Sequence, residues 1–124
     1  MRIDPQSDRA MFAALDQQRS ARRPWLQLLT AVMSLAENRA ELLRRGERAW
    51  ASVTFSGTRH TIALAFTGDE ALAAGERFIA ALPEHEFAIP RQLVAEAAVV
   101  AVEHSTVPET RLTVEVEVLL LEES

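Results

Sequence analysis

The chain has 124 residues, 48% of them hydrophobic and 25% charged, with a formal net charge of −5. Those values fit one globular domain and exclude a largely disordered chain. There is no cysteine, which excludes a disulfide framework, a thiolate metal site and a cysteine nucleophile, and no run approaches the ~18 apolar residues of a membrane span.

Residues 1–23 are expected to form an N-terminal arm or a short helix. Asp4-Pro5 fits the start of a helix, and Met11, Phe12 and Leu15 give it an apolar stripe. The first residues lack the apolar stretch of a secretory signal, so a cytoplasmic protein is expected. Residues 24–124 then read as a single α+β domain.

Pro24 opens a predicted helix over 24–45. Trp25, Leu28, Leu29, Val32, Leu35, Leu42 and Leu43 recur at three- and four-residue spacing. Gly46 after Arg44-Arg45 fits a helix stop behind a basic last turn. Two strands follow, with Ala51, Val53 and Phe55 on one and Ile62, Leu64 and Phe66 on the next. A Gly57-Thr58 turn between them would pair Val53 with Ile62. Thr67-Gly68-Asp69-Glu70 starts a second helix over 69–82, which Pro83 stops. Gly75 inside it predicts a close approach to the sheet.

The last thirty residues give the plainest pattern. Leu112, Val114, Val116, Val118 and Leu120 alternate with a wetter set, which predicts a strand with one buried face. Ala98, Val100 and Val102 are expected to supply the matching face of its partner, with the turn around Pro108. The predicted fold is a two-layer α+β sandwich in the order α-β-β-α-β-β. Its four-stranded, mostly antiparallel sheet is made of two hairpins, with a long helix and a second helix on one face.

The chain holds no phosphate-binding glycine loop, zinc-protease helix or nucleophile elbow. No catalytic residue, cofactor or metal is therefore expected. Three histidines are available. The order of elements predicts that His60 and His85 meet with Glu84 and Glu86 at one sheet end. That polar cluster would suit a metal or acid–base chemistry, against the plainer reading of solvated loops. Arg39 interrupts the apolar stripe of the long helix. It is expected either to hold an anion by its fork or to pair with a glutamate.

The back of the sheet is the stronger clue. Val99, Ala101, Leu119 and Leu121, with Ala63, Ala65 and Ala97, are predicted to form an apolar patch opposite the helices. Burying that patch between two copies predicts a homodimer. The function this suggests is a small binding or assembly module without catalysis of its own, with a protein partner or small ligand. The alternative is an enzyme or ligand binder of hot-dog type, acting on an acyl or other apolar ligand. Nucleic-acid binding through Arg39, Arg44, Arg45 and Arg48 is a third reading. Residues 1–59 carry ten Arg against six acids (+4), and residues 60–124 carry three against twelve (−9). The acidic second half opposes phosphate, so helix and sheet charges are expected to compensate each other.

Overall fold

The computed structural model describes residues 23–123. The predicted N-terminal arm or helix lies outside them, apart from Arg23. The described part of helix α1 spans 23–35. It is followed by β1 (Glu41–Ala51), β2 (Ser56–Thr67), α2 (Asp69–Ala81), a single 3₁₀ turn (Leu82–Glu84), β3 (Gln92–Ser105) and β4 (Arg111–Glu122). The strands form one antiparallel sheet in the order β1-β2-β4-β3. This is the α+β arrangement of two hairpins and two helices that the sequence predicts.

Both helices cover the same face. Trp25, Leu28, Val32 and Ala36 of α1 and its end, and Ala71, Ala74 and Phe78 of α2, share one core with Ile62, Leu64, Phe66, Leu112, Val114, Val116, Val118 and Leu120. Gly75 is where α2 comes closest. A Cβ there would stand 2.8 Å from Leu112 Cδ2 and 2.9 Å from Phe66 Cγ.

The long helix of 24–45 is not what forms. α1 stops ten residues early, and residues 41–51 become an edge strand. The stop is a Schellman motif. The Asn38 N–H donates to the Met33 carbonyl at 2.8 Å, and the Glu37 N–H to the Ser34 carbonyl at 2.9 Å. Glu37 and Asn38 adopt the left-handed conformation, with φ of 59° and 55°, where a glycine is more usual. Leu42 belonged to the helical stripe by spacing, yet as a strand residue it pairs with Leu64. Gly46 lies in mid-strand and stops nothing.

The first hairpin is also displaced. Its turn is Ser52–Phe55, where the Ser52 N–H donates to the Phe55 carbonyl at 2.8 Å. Arg45, not Val53, is the partner of Ile62. Gly57 is inside β2 and serves close approach: a Cβ there would run into the Leu120 carbonyl oxygen.

β3 departs from plain alternation twice, with irregularities between Val94 and Glu96 and between Val99 and Ala101. Each bulge inserts one residue and so switches which parity faces the core. Val94, Ala97, Val99 and Val102 therefore pair with the core-facing residues of β4. Of the expected core set Ala98, Val100 and Val102, only Val102 keeps its place on that face.

Candidate functional site: the sheet edges and the charged back of the sheet

Partners across the antiparallel ladders share a face, so the registers assign each side chain to front or back. On the back, one row runs Arg44–Ala63–Glu115–Ala101, and another Arg48–Arg59–Leu119–Glu96. Within these rows arginines reach over small or apolar neighbours. Arg44 Nη2 donates to Glu115 Oε1 at 3.2 Å, spanning Ala63. Arg59 Nη1 lies 3.5 Å from Glu96 Oε2 and 3.7 Å from Glu117 Oε2, beside Leu119. Ala63, Ala65, Leu119 and Leu121 are buried already within one chain.

This revises the predicted dimer patch. Ala101, Leu119 and Leu121 do lie on the back, but Val99 and Ala97 face the helices and pack against the core. The switch is the work of the bulges. Arg59 and Glu96 were missed as the dressing of this face, whereas Glu115 and Glu117 belong to the wetter set of β4 that the sequence places there. Glu115 and Glu117 alternate with valines on β4, and Arg59 pairs with Leu119 of the same strand.

The open apolar surface is at the edges instead. β3 is an outer strand of 14 residues. Its Leu93, Val100 and Val102 are each about half exposed, at 49%, 48% and 50%. Near its start the back row Trp50–Gly57–Leu121–Leu93 ends the sheet, close to Phe55, which is 51% exposed. A cleft of about 570 Å³ lies beside the first residues of β3, lined by His85, Phe87, Ile89, Leu93, Val94 and Glu123 among others. At the other side of the sheet, β1 is the second outer strand and carries Arg44, Arg45 and Arg48.

The structure does not bring the histidines together. His60 is 2% exposed on the front of β2. Its ring stacks on Trp25 of α1 at 5.7 Å, and the Arg45 guanidinium sits 4.1 Å over that same Trp25 ring. The Glu47 carboxylate is 3.7 Å from His60 Nδ1, too long for a hydrogen bond, and Nδ1 has no partner. Burial pushes the His60 pKa below its ordinary 6.5; Glu47 opposes that and Arg45 adds to it. His85 is exposed and meets Phe87 edge-on at 4.5 Å. Glu84 and Glu86, on either side of His85, are exposed too. Among the described residues, no group of three or more His, Asp or Glu is placed to hold a metal ion.

Arg39 is not on a helix. It follows the α1 stop, and its Nη1 donates to Glu70 Oε2 at 2.9 Å on the surface. Arg44 and Arg48 point to the back and Arg45 to the front, so the four arginines form no common stripe and close no helix. The hot-dog arrangement of one helix wrapped by a sheet also differs from what is present, an open sheet with two helices on one face. Among the described residues, no helix is long and apolar enough to cross a membrane.

No protein-family model matches this chain, and no curated protein matches it. Among solved structures, it is similar to a chain in the virion of a native gene transfer agent particle. The two are 14% identical with a TM-score of 0.52, over 80% of this chain and 92% of that one. It is also similar to a chain in the crystal structure of the type 4 fimbrial biogenesis protein PilO from Pseudomonas aeruginosa, at 12% identity and a TM-score of 0.40, over 98% of this chain and 88% of that one. The first of these likenesses shows a shared fold.

Proposed function

We propose that this protein is an assembly module, a non-catalytic domain that joins protein partners through its open sheet edge β3. The observation that carries the reading is β3 itself. It is an outer strand of 14 residues with half-exposed Leu93, Val100 and Val102. An outer strand offers a row of unpaired backbone groups to another chain, and apolar side chains beside it add to the contact. The occurrence of a chain of the same fold in a virion supports an assembly role. The back of the sheet is a weaker candidate for the contact, because its arginine–glutamate pairs already cover its small residues.

The test is photo-cross-linking in cells, with a photoreactive residue placed at Val102 on β3 or at Glu76 on the exposed side of α2. Protein adducts at position 102 and none at 76 are expected. No adduct at 102, or equal adducts at both, would contradict the reading.

A further inference from the structure

We infer that the partner of β3 is β1 of a second copy of this chain, so that copies join edge to edge and the sheet continues from one into the next. This rests on the assembly reading above and adds to it the partner and the direction of joining. Three observations lead to it.

The first is direction. Every neighbouring pair in β1-β2-β4-β3 is antiparallel. β1 and β3 thus run in opposite senses at the two edges. Sliding a second copy sideways, helices on the same face, brings its β1 antiparallel against β3.

The second is chemistry. Following the rows across that junction sets Glu96 beside Arg48 of the second copy, Leu93 beside its Trp50, and Val102 beside its Leu42. Glu96 meets opposite charge, and Leu93 and Val102, two of the three half-exposed apolar residues of β3, meet apolar residues, while Val99 and Ala101 fall beside Arg45 and Arg44. Glu96 is also only loosely held in its own chain, 3.5 Å from Arg59. One like-charged meeting, Glu103 with Glu41, falls at the end of the strands.

The third is what the alternatives offer. In a symmetric pairing of two β3 strands centred between Val99 and Val100, Glu96 would face Glu103, and like charges directly opposite are unfavourable. The bulges at 95 and 100 break the edge into short regular stretches, a common guard against indiscriminate strand pairing. The charged side chains then select among strands. Joining β3 to β1 uses a different surface on each copy. It closes into a ring or extends into a filament according to the rotation between copies.

The absence of cysteine makes the test clean. Gly46 and Ala98 share a row, and a Cβ at Gly46 meets only Thr61 Cβ at 4.0 Å. Within one chain the two positions are three strand spacings apart, about 14 Å, beyond disulfide reach. Oxidising a mixture of Gly46→Cys and Ala98→Cys proteins is expected to give a disulfide-linked pair, with several-fold less from either alone. Adding Arg48→Glu to the first protein should lower the yield several-fold, and Glu96→Arg on the second should restore it. Circular dichroism checks that each variant is folded, and concentration-dependent hydrogen exchange at β1 and β3 of the unaltered chain gives a second readout. Equal cross-linking by Ala98→Cys alone would replace this model with a symmetric one. No mixed disulfide, together with foreign-protein adducts at position 102, would overturn self-pairing and leave the assembly role standing. No adduct of any kind at 102 would remove both.

Discussion

Arg77 grips Glu37 with two hydrogen bonds, Nε to Oε2 at 2.8 Å and Nη2 to Oε1 at 2.9 Å. The pair ties the middle of α2 to the residue that ends α1. Glu37 sits in the left-handed conformation, which a residue with a Cβ adopts only at some cost. The clamp holds that residue where the chain turns from helix to edge strand. The same bond holds the Glu37 carboxyl below the ordinary carboxylate range. Arg77→Ala should therefore lower the melting temperature near neutral pH. The folded-state pKa of Glu37 is depressed, so its contribution is present above the ordinary value of 4.5 and lost as pH falls through the folded value. The gap between the two proteins should narrow in that acid range, and thermal melts at pH 7 and pH 3 check it. Equal melting at pH 7 would show that the clamp is idle.

His60 gives a second pH dependence. Its facing groups are Trp25 from α1 and Arg45 and Glu47 from β1. Burial lowers its folded pKa, so the unfolded chain takes up the proton first as pH drops below about 6.5. Stability is full above that value and falls as pH goes down toward the folded pKa. Melting temperatures from pH 8 to pH 5 should decline for the unaltered protein and decline less for His60→Phe. Parallel curves would show that His60 is not the group responsible.

Gly75 sets two effects against each other. Replacing a mid-helix glycine by alanine gains about 1 kcal/mol of helix propensity. Here the new Cβ would press on the Phe66 ring and on Leu112, and overpacking costs about 1–3 kcal/mol. The ring cannot yield as a flexible side chain does, so steric crowding should win and Gly75→Ala should unfold at lower denaturant. A raised midpoint would mean that α2 can lift away from the sheet freely.

Leu28 is fully buried between α1 and the sheet. Leu28→Ala should cost about 2–5 kcal/mol, read from chemical denaturation. A midpoint near that of the unaltered chain would put the wrong face of α1 inward.

What the sequence revealed of this fold follows from how far each pattern depends on its neighbours. β4 and α2 were legible because their valines, leucines and closing Pro83 keep a single period with local boundaries. The end of α1 was not. Its stop uses Glu37 and Asn38 with a distant clamp from Arg77, and the expected signal, Gly46, lies in a strand. Leu42 and Leu43 fit either a helical stripe or an edge strand, and pairing with β2 decides between them. The β3 faces were misread at Val99 because a bulge leaves no mark in the period until the partner strand is known. The back-face arginine–glutamate pairs are tertiary in the same way, since Arg44 and Glu115 are 71 residues apart. Of the candidate sites, Ala101, Leu119 and Leu121 share the predicted face, whereas His60 and His85 depended on a loop position that the pattern of elements leaves open.

Whether β3 is a docking edge is tested most directly by backbone hydrogen exchange. The protein would be taken from its native cells in its assembled state, and exchange compared before and after dilution disperses it. Outward-facing amides of Gln92–Ser105 should be protected in the assembly and exchange freely once dispersed, while amides paired to β4 change little. Protection confined to the exposed face of α2, or β3 amides that exchange equally fast in both states, would contradict the account.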